Sequence, residues 1–293
     1  MTRRVALITG GASGIGRAIA AALVEDDVTA LISDIDPVRT EDAASALRDR
    51  GAQAEALPCD VTVREQVDGM AKAVSERSGK LNMLFANAGV LVGGRVQETQ
   101  PLDMAWMLAV NIAGVFHTVQ AFPPLLQAAA NAGEPAHIVV TGSDNSLSVA
   151  ENYPYTIYTT TKHALLGFAD ALRRDLAGTG ISVSLLCPGA TRTELYDAKR
   201  VRQNAYGGAE PLSVDVRERY EAASAASTAQ DPAVTAGLCL EGMKLGAFYI
   251  VTDPNLRRLV DGRYAELSSG LDWLDEQLGR ASARDEEGAP VAK

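Results

Sequence analysis

Short runs of apolar, often β-branched residues alternate along this chain with longer stretches whose apolar residues recur every three or four positions. The short runs are VALIT (5–9), VTALIS (28–33), QAEALP (53–58), LNMLFA (81–86), HIVVT (137–141), ISVSLLC (181–187) and AFYIV (247–251). They predict seven strands. Stretches 14–25, 38–50, 63–77, 101–130 and 155–178 carry the helical period. That alternation predicts an α/β fold, a doubly wound parallel sheet of seven strands with helices on both faces.

Two segments break the pattern. From Pro188 to Leu212, with Gly207 and Gly208 near the end, the chain runs well past the usual connection of about 4–6 residues. This segment, bounded as 189–215, reads either as a lid over a site or as a disordered insertion. Beyond Pro254, Val260, Tyr264, Leu267, Leu271, Leu274 and Leu278 recur at steps of four and three. They form one apolar stripe on a helical extension over 255–279, either continuous or broken at Gly270. The stripe needs a cover: its own domain, the substrate loop or another subunit. Residues 280–293, RASARDEEGAPVAK, read as a disordered, solvated tail. The remainder, 1–279, is expected to be a single domain.

Charge and cysteine content narrow the partners. Lys and Arg number 27 against 37 Asp and Glu in 293 residues, a net charge of −10 with no basic stripe, which argues against nucleic acid. Cys59, Cys187 and Cys239 have no metal-ligand spacing, and His117, His137 and His163 stand apart from one another, so no metal site is expected. The opening MTRRVALITGG has an apolar run too short for a signal segment or a membrane span. A cytoplasmic protein without membrane association is the expectation.

TGGASGIG, Thr9 to Gly16, follows the first strand and opens the first helix. In that context the backbone of Gly10, Ser13, Gly14, Ile15 and Gly16 can approach a pyrophosphate, whose charge the helix N-terminus favours. The fold is thus Rossmann-type, although a tight strand-to-helix turn alone would use the same glycines. Asp34 ends the second strand 18 residues after Gly16, where a carboxylate accepts from an adenosine ribose and repels a 2′-phosphate. NAD is therefore expected over NADP. The alternative for Asp34 is a helix N-cap, for which Asp36 before Pro37 is better placed.

The stretch YPYTIYTTTK, residues 153–162, holds three tyrosines and one lysine. Residues four apart share a helix face; Tyr153 is followed at that distance by Ile157, Tyr155 by Thr159 and Tyr158 by Lys162. Only Tyr158 has a cationic neighbour. An ammonium beside a phenol of ordinary pKa ~10 favours phenolate and so a base. The same spacing also suits a packing tyrosine and a snorkelling lysine.

With TGGASGIG and YTTTK on the same alternating pattern, the chain resembles the short-chain dehydrogenase/reductase family over residues 3–252. The resemblance extends to CDV (59–61), ANAG (86–89), Asn111 in VNIAG, Ser143 after IVVTG, and PGATRT (188–193). It implies that Asp60 and Val61 flank the adenine, that Asn87, Ala88 and Gly89 lie beside the cofactor, and that Pro188, Gly189, Thr191 and Thr193 reach the nicotinamide end. Ser143 would bind the substrate oxygen, and Tyr158 would move its proton. Lys162 would lower the tyrosine pKa and hold the nicotinamide ribose, and Asn111 would hold a relay water. Asn111 has the alternative of a satisfied amide at a helix kink.

Ser143 lies 15 residues before Tyr158, more than the family's common spacing, and Ser146 is a lesser candidate for its role. Tyr153, Tyr155, Leu195 and Tyr196, with Leu147, Val149 and Tyr206, suggest an apolar substrate pocket or else a covered sheet edge. The C-terminal part resembles the ends of members that oxidise bulky aryl alcohols. Together these readings predict an NAD-dependent oxidoreductase of a bulky secondary alcohol or ketone, and by resemblance a homodimer or homotetramer joined through helices 101–130 and 155–178. An NADP-dependent ketoreductase and a catalytically silent nucleotide sensor are the alternatives.

Overall fold

The structure, a computed structural model, describes residues 3–149, 154–226 and 228–287. Seven strands form one sheet: β1 (Arg4–Thr9), β2 (Val28–Ser33), β3 (Ala54–Ala56), β4 (Met83–Ala86), β5 (Ala136–Thr141), β6 (Ile181–Cys187) and β7 (Tyr249–Val251). Their order is β3-β2-β1-β4-β5-β6-β7, and every pair is parallel. Because crossovers leave both faces covered, parallel strands are apolar on both. Leu7, Leu31, Leu84, Ile138 and Leu185 point into one core layer, and their neighbours Ile8, Ile32, Phe85, Val139 and Leu186 point into the other.

The crossovers are α1 (Gly14–Glu25), α2 (Pro37–Arg48) and α3 (Arg64–Ser78) in the first half. The strand order reverses between β1 and β4, which opens a crevice at the carboxyl ends of these strands, where ligands bind in such sheets. The long helical stretch at 101–130 is segmented: α4 (Pro101–Leu108), a π turn (Ala109–Gly114), α5 (Val115–Ala121) and α6 (Pro123–Asn131). Pro123 ends the run because it cannot continue the hydrogen-bond ladder. The π turn is centred on Asn111. By length and composition Pro101–Ala121 is apolar enough to cross a bilayer, yet half of it is buried inside the molecule, where Trp106, Met107, Val115 and Val119 join the core.

In the second half come α7 (Thr156–Asp175), α8 (Val214–Ala226) and α9 (Pro232–Lys244). The segment read as lid or insertion is ordered into two 3₁₀ turns, Glu194–Val201 and Asn204–Tyr206. The chain divides after Asp253 into two compact units. Residues 254–279, which the sequence places in the first domain, belong to the second unit. That unit is one helix, α10 (Leu256–Glu287), which passes through Gly270 and continues eight residues into the segment read as a tail. Tyr264, Leu267, Leu271, Trp273, Leu274 and Leu278 on it are exposed.

Candidate active site

The glycine turn is built by steric exclusion. Gly10 and Gly14 have φ of +64° and +51°, the left-handed region that suits glycine. A methyl group on Gly16 would stand 2.3 Å from the Gly10 carbonyl oxygen and 2.6 Å from Asn87 Nδ2. No side chain fits there. Ser13, the N-cap of α1, makes no side-chain cap, which leaves the first-turn amides available to an anion. Asn87 is occupied otherwise: its Nδ2 donates to the Thr9 and Gly10 carbonyls at 3.0 and 3.3 Å, and its Oδ1 accepts from Thr141 at 3.2 Å. It ties the ends of β1, β4 and β5 together, and its backbone N–H and that of Ala88 both donate to Thr9 Oγ1, at 3.0 and 3.2 Å.

Asp36 caps α2, accepting from Val38 and Arg39 N–H at 3.0 and 3.1 Å, so the cap does not need Asp34. Asp34 accepts from Ala12 and Asp36 N–H at 3.3 and 3.4 Å. Burial raises its carboxyl pKa, while those backbone hydrogen bonds and the charge of Arg200 oppose the rise.

Tyr158 and Lys162 come together on α7 as the four-residue spacing predicts. Lys162 Nζ stands 5.6 Å from the Tyr158 ring centroid and donates to the Thr141 carbonyl at 2.9 Å. The Tyr158 hydroxyl faces Ser143, whose side chain opposes the rise in its pKa. Both Tyr158 and Lys162 are buried. Burial pushes the Tyr158 pKa up, against the lowering by Ser143 and with the charges of Asp144 and Tyr155 adding to the rise. Burial also pushes Lys162 down to about 8. Burial outweighs the neighbouring charges at both groups.

Asn111 sits in the π turn, fully buried. Its Oδ1 accepts from Val90 N–H at 2.8 Å, and its Nδ2 donates to the Val90 carbonyl at 2.9 Å and to Thr161 Oγ1 at 3.1 Å. The side chain is the satisfied amide of a helix irregularity, and it clamps the chain after β4 onto α7. A methyl on Gly89 would lie 3.6 Å from both Asn111 Oδ1 and Lys162 Nζ, so Asn111 borders the same crevice.

Ser143 and Ser146 are separated by geometry. Ser146 Oγ is fully buried and accepts from Ser143 N–H at 3.1 Å, which makes it a turn cap. Ser143 Oγ reaches Tyr158, and it also donates to Asp144 Oδ1 at 2.5 Å, a neighbour sequence reasoning did not single out. Tyr155 packs edge-on to Tyr158, ring centroids 6.2 Å apart. Tyr153 lies outside the described residues.

The segment after β6 is the larger surprise. Pro188 is buried after β6. Ala190 and Arg192 pair with Gln230 through backbone bonds of 2.8 and 2.9 Å, and Thr191 Oγ1 turns to the Gly189 carbonyl at 3.0 Å. Thr193 packs on Gly14, where a methyl would meet its Cγ2 at 3.0 Å. Glu194 pairs with Arg39 at 2.6 Å and Arg200 at 3.0 Å. Gln203 Nε2 donates to both oxygens of Asp60, at 3.0 and 2.9 Å, while its Oε1 accepts from Trp106 Nε1 at 2.7 Å. Arg202 forms a buried pair with Asp103. Tyr196, with Ser13, Gly14, Arg17, Arg39 and Thr193, lines a cleft of about 530 Å³ at the glycine turn. Leu195, two residues beyond Thr193, donates its N–H to the Thr193 hydroxyl at 3.4 Å.

A nicotinamide dinucleotide fits the glycine side of this crevice, where a side-chain-free turn, uncapped amides and Asp34 stand together. Asp60 is held by the chain's own Gln203. No cluster of metal-ligating side chains occurs among the described residues.

A family model for short chain dehydrogenases matches residues 4–204. The chain is 31% identical over 256 residues to 1-deoxy-11-beta-hydroxypentalenate dehydrogenase of Streptomyces exfoliatus, covering 87% of this chain and 84% of the relative. It is similar in structure to a short chain dehydrogenase/reductase from Burkholderia phymatum solved in complex with NAD. The TM-score there is 0.82 and the identity 32%, over 92% of this chain and 95% of the other. An alcohol dehydrogenase from Thermococcus sibiricus, complexed with 5-hydroxy-NADP, is 26% identical at a TM-score of 0.67, over 86% of this chain and 96% of the other. The glycine turn, the all-parallel sheet and the tyrosine–lysine pair agree with that match: the chain is an oxidoreductase of the short-chain dehydrogenase family.

Proposed function

We propose that this chain transfers a hydride between NAD and a secondary alcohol or its ketone, with Ser143, Tyr158 and Lys162 at the reacting end. The observation that carries the reading is the convergence of the Ser143 and Tyr158 hydroxyls, with Lys162 beside the ring, at the carboxyl ends of β5 and β6. Bound at the glycine turn, the dinucleotide supplies the hydride acceptor or donor. Ser143 orients the substrate oxygen. Tyr158 takes the hydroxyl proton during oxidation and returns it during reduction, and its raised pKa keeps it protonated and ready for the reductive direction. Lys162, anchored on the Thr141 carbonyl, retains further N–H groups for a ribose. Asn111 positions α7 against the chain after β4, and a relay water held beside it completes the proton path.

Tyr155 and Leu147, partly buried against the core, favour a bulky apolar or aromatic substituent on the substrate. Asp34 favours NAD. The NADP reading has one observation of its own, the two guanidinium groups of Arg39 and Arg200 gathered by Glu194, and titration of both cofactors separates the two. By family likeness the working form is a homodimer or homotetramer, to be checked by sedimentation.

Tyr158→Phe is the direct test. It should lower kcat by roughly 100- to 10,000-fold, the usual range for a positioned acid–base, while the NAD dissociation constant stays within about threefold. Undiminished turnover in that variant would end the proposal.

A further inference from the structure

The hydroxyl of Ser143 has one proton, and in the resting chain that proton is committed. It is donated to Asp144 Oδ1 at 2.5 Å, while the Ser143 oxygen accepts from Asn145 N–H at 3.2 Å and faces the Tyr158 hydroxyl. Asp144 itself is fixed. Its N–H donates to the Pro188 carbonyl at 2.8 Å, and its carbonyl accepts from Leu147 and Ser148 N–H at 3.0 Å each. Oδ1 also accepts from Asn145 N–H and Nδ2, at 2.7 and 2.9 Å, and Asn145 Oδ1 accepts from Thr159 Oγ1 at 3.0 Å. The carboxylate is therefore held at the reacting hydroxyls from two sides, by the turn after β5 and by α7. Its three side-chain hydrogen bonds end on Oδ1, and no lysine or arginine pairs with it among the described residues.

A proton count then constrains the substrate. For Ser143 to donate to a substrate oxygen, its proton must leave Asp144. A half-buried carboxylate stripped of a charge-assisted hydrogen bond is unfavourable unless another donor replaces the one lost. Among the described residues the side chains bonded to Asp144 are those of Ser143 and Asn145, so once a bound substrate displaces solvent a donor carried by that substrate supplies the replacement. Oxygens on adjacent carbons stand about 2.8 Å apart when gauche, the same as hydrogen-bonded oxygens and close to the Ser143–Asp144 separation. One oxygen of such a pair can meet Ser143 and Tyr158 while its neighbour meets Asp144.

We propose that Asp144 is a specificity-determining residue that accepts a hydrogen bond from a hydroxyl or ammonium on the carbon next to the reacting one. The substrates of this chain are then vicinal diols, α-hydroxy ketones or the corresponding amino alcohols, and 2-hydroxy acids are turned away by charge. The inference rests on the alcohol–ketone reading of the site and narrows it. Sites that hydrogen-bond a substrate hydroxyl discriminate strongly against analogues lacking it, because the site's own polar group is left unpaired. The second hydroxyl is not oxidised; it only replaces the Ser143 donor.

The test compares 1-phenyl-1,2-ethanediol, 1-phenylethanol and mandelate on the NAD-loaded enzyme. Wild type should prefer the diol over the mono-alcohol by about tenfold or more in kcat/KM. Asp144→Ala should bring that ratio to within about twofold, whereas Asp144→Asn, which keeps an acceptor but no charge, should retain part of the preference and admit mandelate better than wild type does. Equal use of diol and mono-alcohol by wild type, or an unchanged ratio in Asp144→Ala, overturns the proposal. Turnover of no alcohol or ketone at all would instead remove the oxidoreductase reading of the site. Calorimetric binding of the same pair to Tyr158→Phe enzyme with NAD reads the preference without turnover, and equal affinities there sink the proposal as well.

Discussion

Burial acts on Tyr158 and Lys162 in one sense, toward the uncharged form of each: the phenol is pushed up and the ammonium down to about 8. The four-residue spacing revealed that the two would meet, but it could not reveal which electrostatic effect wins, since desolvation depends on residues brought in from β5 and β6. His137 shows the same effect away from the site. It lies on β5, bonded to Ser184 Oγ at 2.9 Å, and burial lowers its pKa from 6.5 to about 4. A folded pKa below the unfolded one means that the unfolded chain binds more protons between those values. Stability is thus full above pH 6.5 and is lost as the pH falls toward 4, by about 3 kcal/mol at ~1.4 kcal/mol per unit. Urea melts of wild type and His137→Gln at pH 7 and pH 4.5 check this: wild type should lose more on acidification, and equal losses would refute it. A lone histidine in HIVVT carried no such signal in the sequence beyond its place in an apolar strand.

The elements were legible where a period or a fixed motif defines them. VTALIS and ISVSLLC became β2 and β6 at their read boundaries, and 14–25 became α1, because strand and helix periods are local. The segment after β6 was not, because its order depends on distant partners: Gln203 and Asp60 are 143 positions apart, and Arg202 and Asp103 are 99 apart. What results is an element anchored on α2 through Arg39, on α4 through Asp103 and Trp106, and on Asp60. If Asp60 binds adenine as the family likeness implies, the Gln203 amide and the adenine compete for one carboxylate. Gln203→Ala is then expected to tighten NAD binding about fivefold, a fraction of the hydrogen-bond energy to a charged group. Fluorescence titration measures it, and weaker binding would show that Gln203 supports the cofactor. Asp103→Ala should loosen the same segment, because removing one partner of a buried pair strands the other charge, and faster proteolysis within 194–210 would report it.

At the scale of the whole molecule, the buried residues of both core layers run from Val5 to Ile250, within the first unit, and the family match ends at residue 204. The apolar stripe from Val260 to Leu278 was legible as a helix because its period is local, whereas what covers it was not, because a stripe states a need without naming a partner. Cores of this kind carry most of the favourable free energy of folding, so a chain ending at Asp253 should fold without α10. Its thermal unfolding should stay cooperative, with a Tm within about 4 °C of the full chain, the shift that roughly 1–2 kcal/mol produces at this size. Its NAD affinity should also be unchanged, since the glycine turn, Asp34 and Asp60 all lie in the first unit. Sedimentation of the two chains then assigns the stripe: a smaller assembly on truncation places α10 between subunits, while an unchanged assembly with a collapsed Tm would show that α10 completes the fold of its own chain and would overturn the prediction of independent folding.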